Sequence, residues 1–269
     1  MNVKQLTLLV GSVLFSQHAF AGTNIMTSLY IADFDDAAES AQEEGFTLEG
    51  EFGFLTASGN TNAASIKGAL NAEQETLNWS NQYRLEMLYK ESEVQRDGDN
   101  IRDVTAQRFY STVQMDYKLS NPDHRLFVFG EYDNNRFSAY QYQAAIAAGW
   151  AQKAIDEEDY QFRYSIGPGY GIAIEHDGDT DNENHGFIVR ASVEYKQQLS
   201  TGAKLRQFLS TEANSDSTRS RSETSISAQV MDSMAMKLSF IMNYNSGVED
   251  ADQDNLDTET SITLVYQFF

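Results

Sequence analysis

The sequence predicts an all-β chain: an antiparallel transmembrane β-barrel of about twelve strands behind a cleaved N-terminal signal peptide. Three observations predict it. Apolar and polar residues alternate with period two through most of the chain. No run past the N-terminus supplies the ~20 apolar residues that a membrane-spanning helix needs. The first residues have the layout of an export signal.

That signal comes first. Lys4 precedes the apolar run Leu6-Thr7-Leu8-Leu9-Val10-Gly11-Ser12-Val13-Leu14-Phe15, and Ala19-Phe20-Ala21 offers the small residues a signal peptidase accepts before Gly22. The expected organisation is a signal peptide over 1–21, an N-terminal periplasmic segment over 22–45 and a barrel over 46–269. The middle segment lacks strand periodicity. It carries Leu29, Tyr30, Ile31 and Phe34 ahead of an acidic run to Glu44, a pattern compatible with a short helix, a plug or a disordered leader.

From Phe46 onward the alternation is sustained. Leu77, Trp79, Asn81, Tyr83, Leu85, Met87 and Tyr89 occupy one face, while Asn78, Ser80, Gln82, Arg84, Glu86 and Leu88 occupy the other, so one face is apolar and aromatic and the other polar. The division returns at Phe109–Tyr117, Phe187–Tyr195, Met236–Tyr244 and Ile262–Phe268, about twelve segments in all. Connections alternate in length, as tight turns and free loops do in outer-membrane barrels. The short class holds Asn71–Thr76, Ser120–His124, Ala154–Asp159, Ser200–Gly202 and Asp232-Ser233; the long class holds Glu91–Asp103, Glu175–Gly186, Ala213–Ser220 and Ser246–Asp257. Ser58–Asn62 is short for its place in the series.

A soluble sandwich alternates too, but it turns its apolar face inward to a core. Two features favour lipid. Aromatic residues gather near strand ends, at Trp79, Tyr89, Tyr117, Tyr140, Tyr142, Trp150, Tyr160, Tyr195, Tyr244 and Tyr266, where a bilayer has its interfaces. Charge is excluded from the apolar face and collects on the other, which becomes the expected lumen. Its candidate lining charges are Lys67, Arg84, Glu86, Arg108, Asp116, Arg163, Arg190, Glu194, Lys204, Arg206, Arg221 and Glu223. The chain closes on Tyr266-Gln267-Phe268-Phe269, an aromatic ending common among such barrels.

Composition narrows the function. With 40 Asp+Glu against 19 Lys+Arg the chain is a poor nucleic-acid binder, because phosphate contacts need cations. Without cysteine it has no disulfide, thiolate metal site or cysteine nucleophile. Asp177, Asp179, Asp181 and Glu183 space carboxylates at alternate positions and are weak calcium candidates; Asn182 replaces the turn glycine of an EF-hand loop, and Ile188 stands where its bidentate Glu belongs. Asp250, Asp252, Asp254 and Asp257 fail the pattern likewise. His124, His176 and His185 have no serine two residues on, and only rim chemistry by His176 or His185 stays open. Gly167-Pro168-Gly169 falls inside a strand, where proline removes a ladder donor, so a bulge is expected there, with Ser165, Gly167, Gly169, Gly171 and Ala173 as an inward stripe without bulk.

The sequence resembles a known family through Ser58-Gly59-Asn60-Thr61-Asn62, Glu131-Tyr132-Asp133-Asn134-Asn135-Arg136-Phe137-Ser138-Ala139-Tyr140-Gln141-Tyr142 and Gly167-Pro168-Gly169-Tyr170. This is the family of salt-induced outer-membrane proteins of the YdiY-like type, a domain of unknown function. The resemblance covers Phe46 to Phe269 and implies an outer-membrane β-barrel without implying a reaction or substrate. The acidic insert from Glu175 to Glu183 departs from it. The expectation is a small passive pore or envelope-stress barrel in the outer membrane of a Gram-negative cell, without cofactor or catalysis. Its expected partners are outer-membrane lipid, lipopolysaccharide and the barrel-assembly machinery. The alternatives are a non-conducting structural barrel whose acidic loops hold divalent cations or lipopolysaccharide, and a rim hydrolase.

Overall fold

The computed structural model describes residues 45–57, 63–96, 99–137, 140–157, 159–175, 183–215, 217–247 and 255–268. The expected signal peptide and N-terminal segment up to residue 44 lie outside the described residues, as do Asp177, Asp179, Asp181 and His176.

Period-two alternation becomes twelve strands among the described residues. They are β1 Gly45–Ala57, β2 Ala63–Glu75, β3 Trp79–Arg96, β4 Asp99–Lys118, β5 His124–Asn135, β6 Tyr140–Asp156, β7 Tyr160–Glu175, β8 Glu183–Gln198, β9 Lys204–Ala213, β10 Thr218–Met231, β11 Met234–Asn245 and β12 Leu256–Gln267. Each pairs antiparallel with its sequence neighbour, and β12 pairs with β1, so the sheet closes on itself. Closure removes the exposed edges that a flat sheet would leave.

The expected alternation in connection length holds only in part: the long connections 176–182 and 246–255 lie on one side, but 97–98 and 214–217 on that same side are no longer than 119–123 and 199–203 on the other, the turn side. Gly45 pairs with Glu75 at the end of β2, so both described chain ends lie on the turn side. At the β8–β9 turn the Gly202 N–H donates to the Leu199 carbonyl at 2.8 Å. Gly202 adopts a φ of 81°, a left-handed conformation that glycine reaches without strain. Two expected long loops are mostly strand. The stretch Glu91–Asp103 continues the β3–β4 ladder past a register shift at Lys90/Glu91, with Arg96 opposite Asp99, since backbone pairing needs no apolar face where no lipid demands one. The stretch Ala213–Ser220 shrinks because β10 begins at Thr218.

The outer wall is apolar. Phe52, Leu70, Met87, Ile146, Val189, Leu238 and Ile262 are exposed on it. Trp79, Tyr117, Trp150, Tyr160 and Tyr266 are exposed near the turn-side ends of their strands, and Tyr89, Phe109, Tyr132 and Tyr244 toward the loop side. Trp79 packs edge-on against Tyr117 at 5.2 Å, and Tyr132 lies 5.9 Å from Tyr142. From Trp79 to Tyr89, at a rise of ~3.3 Å per residue and a tilt near ~40°, the axial separation is about 25 Å, the height of a lipid-facing band. Tyr140 departs from the expected belt. A register shift between Tyr140 and Tyr142 turns Tyr140 inward, where it is buried and its hydroxyl donates to the Gly247 carbonyl at 2.9 Å.

No bulge forms at Gly167-Pro168-Gly169, contrary to expectation. The pairs Ala147↔Gly169 and Trp150↔Ile166 keep one register, and the shifts lie elsewhere, at Tyr140/Tyr142 and Lys153/Ile155. The ladder simply skips the proline, and β6 and β7 approach closely there. A Cβ on Gly167 would collide with the Ala148 carbonyl oxygen, and one on Gly149 with that of Ile166.

Candidate functional site

The barrel interior holds the charge. On each strand the residues between the lipid-facing ones point inward, so parity alone carries Lys67 on β2, Arg84 and Glu86 on β3, and Arg108 and Asp116 on β4 to the lumen. Arg163 on β7, Arg190 and Glu194 on β8, Lys204 and Arg206 on β9, and Arg221 and Glu223 on β10 arrive by the same rule. None of these twelve is exposed; Glu223 retains 1% of its surface, and Glu86 and Arg190 2% each. Burial this deep requires partners, since an uncompensated charge out of water costs several kcal/mol, of the order of 3–5 when one partner is removed.

The partners come from across the barrel. Glu223 receives Arg206 at 3.1 Å, Arg84 at 3.4 Å, Arg221 at 3.5 Å and Lys237 at 3.9 Å. Glu86 receives Arg84 at 2.8 Å and Lys67 and Arg221 at 3.7 Å. Glu194 is held by Arg163 and by Arg206, the latter at 2.6 Å. In the twelve-strand order, β3 and β10 stand five strands apart, so the Arg84–Glu223 contact spans the lumen. Arg221 lies 4.7 Å over the ring of Tyr110 on β4, six strands away and diametrically opposite. Side chains from opposing walls thus meet at the waist.

Sequence parity was cut short at four further lumen charges. Arg219 falls inside the expected Ala213–Ser220 loop, yet it has the parity of Arg221; it pairs with Glu131 on β5 across the lumen and with Glu212 at 2.6 Å. Asp133 binds Arg108 through two hydrogen bonds of 2.9 and 2.7 Å. Glu259 pairs with Lys67. Arg125 faces Asp116 at 4.0 Å. The inner face is also less polar than expected. Phe127 and Phe129 on β5 are buried beside Ala147 and Ala151 on β6, and Arg190 lies 3.5 Å over the Phe129 ring. With Leu126 and Val128 outside, β5 is apolar on both faces, which erased the period-two signal that would have placed Arg125 inside.

Two spaces result. The loop-side mouth is crossed by Tyr140 reaching Gly247, and by Arg219 reaching Glu131 and Gln143. The turn-side half is a cavity of about 290 Å³ that runs from Lys204, Gln198 and Asp159 near the turns to Arg84, Tyr110, Phe129, Arg190, Arg221 and Glu223 at the waist. Three more of the sequence candidates lie among the described residues. Glu183 opens β8, His185 lies 6.1 Å from Tyr170 on the outer wall, and His124 lies 5.3 Å from Trp150.

A closed antiparallel barrel of twelve strands, apolar outside and ion-paired within, defines the class as a β-barrel of the outer-membrane type. The chain belongs to the family described as protein of unknown function, DUF481, whose profile matches residues 50–268. A relative from Escherichia coli (strain K12), the uncharacterized protein YdiY, is 22% identical over 266 residues, covering 98% of this chain and 97% of that protein. Among solved structures, the translocator domain of autotransporter NalP from Neisseria meningitidis is similar at a TM-score of 0.43 and 9% identity, over 88% of this chain and 94% of that one. The outer membrane channel DcaP of Acinetobacter baumannii is similar at 0.39 and 8%, over 84% and 96%. A porin refined at 1.8 Å resolution is similar at 0.37 and 7%, over 84% and 100%.

Proposed function

We propose that the protein is an outer-membrane barrel forming a narrow pore that is held shut at its waist, with no catalytic role. One observation carries the reading: Arg221 touches Tyr110 and Arg84 touches Glu223 from opposite walls, so among the described residues side chains bridge the lumen at its waist. In this reading the signal ending at Ala21 exports the chain. The tight turns and the cavity then face the periplasm, the longer connections face outward, and the partners are lipid, lipopolysaccharide and the barrel-assembly machinery. A twelve-stranded lumen lies between the side-chain-filled eight-stranded type and open porins, which suits a passage that side chains can close.

Planar-bilayer recording tests this. Wild-type protein is expected to insert with a closed baseline, and Arg221→Ala with Arg84→Ala is expected to produce discrete conductance steps by clearing the waist. A large steady conductance from wild type on insertion would contradict the closed waist.

A further inference from the structure

From the cavity floor we infer that the turn-side vestibule is a binding site for the oxyanion group, carboxylate or phosphate, of a small solute. This rests on the barrel reading above but not on conduction. Ten of the chain's 19 Lys and Arg line this one cavity, against seven Asp and Glu, in a protein of formal charge −21.

The second observation is that four guanidinium nitrogens at the floor make no hydrogen bond within the described residues, against two carboxylate oxygens in the same state, Glu86 Oε1 and Glu194 Oε2. Arg190, 2% exposed, places Nε 3.5 Å from Glu212 without a hydrogen bond, and its Nη1 has no hydrogen-bond partner. Arg221 leaves Nη2 without a hydrogen bond, at 3.5 Å from Glu223 and 3.7 Å from Glu86, and Arg84 leaves Nε without one. All three arginines line the same cavity. Buried donors in native proteins are nearly always satisfied, so several left over on neighbouring guanidiniums call for an acceptor. An oxyanion offers several lone pairs to the planar fork of arginine and adds the missing negative charge, which a water does not. A cavity of about 290 Å³ is at the small end of ligand pockets, the size for a small organic anion and not a polymer. Ser192, on β8 between Arg190 and Glu194, lines the approach, and its hydroxyl lies 2.7 Å from that of Ser165.

The test is calorimetric titration of the detergent-folded full-length barrel at low ionic strength with inorganic phosphate, citrate and, as control, chloride. A heat-modifiable gel shift verifies folding in every sample. Saturable binding of phosphate or citrate is expected, and the tighter of the two identifies the oxyanion. Arg190→Gln is expected to weaken it at least tenfold. Ser192→Asp, which places a competing carboxylate beside Arg190 and removes none of the ion pairs at the waist, is expected to abolish it while the barrel still folds. Heats no different from chloride in a folded barrel, or binding unchanged in Ser192→Asp, would overturn the inference. Loss of the gel shift in wild type would instead overturn the barrel reading.

Discussion

Replacing Glu223 with glutamine keeps shape and removes one charge. Four cations lie within 3.9 Å of that carboxylate, and Glu223 itself is 1% exposed. A single unit-charge contact near 3.5 Å at an effective dielectric of ~20 contributes roughly 5 kcal/mol of gross attraction. Much of that only offsets the cost of desolvating five charged groups. Breaking a buried ion pair by removing one partner costs about 3–5 kcal/mol net, and four cations sharing the loss put Glu223→Gln at the upper end. At about 2–4 °C per kcal/mol for a chain of this size, the midpoint should fall by roughly 10–20 °C. The assay is the temperature at which unboiled protein shifts from the compact to the extended band in a detergent gel. A fall smaller than ~3 °C would show that water already occupies the waist and that the cross-lumen network does not hold the barrel.

Three further outcomes follow from other parts of the structure. Gly167→Ala drives a methyl into the Ala148 carbonyl and should lower stability by about 1–3 kcal/mol in urea unfolding, while Gly186→Ala, which meets nothing within 4 Å, should be nearly neutral. Ile146→Lys puts a charge on the outer wall at a residue 65% exposed; facing lipid it should cost about 2–4 kcal/mol, whereas facing water it would change stability by less than ~0.5. The β1–β12 seam pairs from Glu49↔Gln267 to Phe52↔Leu264, with the Phe268 N–H donating to the Leu48 carbonyl at 2.9 Å on the turn side, and toward the loop side it is bridged by side chains, Lys67 to Glu259 and Lys237 to Glu51 at 2.8 Å. Hydrogen exchange should therefore be faster in the loop-side halves of β1 and β12 than in the fully paired β2–β3 ladder, and Lys67→Met should accelerate it further.

Parity made most of this barrel legible. Once one face of a strand must meet lipid, every second residue is fixed, and a run such as Trp79–Tyr89 declares both walls at once. The rule weakens where its cause is absent. Beyond the bilayer neither face needs to be apolar, so the ladder continuing to Arg96 and Asp99 looked like loop, and Arg219 was cut off from the strand it begins. On β5 the opposite happens: Phe127 and Phe129 fill the lumen with apolar bulk and hide the alternation. The missing donor of Gly167-Pro168-Gly169 predicts a bulge, but what decides its geometry is the facing Gly149, a long-range partner that local pattern does not reveal. The waist network is a matter of which inward charges share a height, and that depends on strand stagger, which pairwise alternation leaves open.

The central claim, that lipid covers the outer wall, is most directly tested with the chain's own two tryptophans. Trp79 and Trp150 are 42% and 44% exposed, both on the outer wall near the turn side. In vesicles carrying bromine at defined acyl-chain depths, their fluorescence should be quenched, more strongly by shallow than by deep bromines, and left largely unaffected by aqueous iodide. Strong quenching by iodide with none from any brominated lipid would contradict the account.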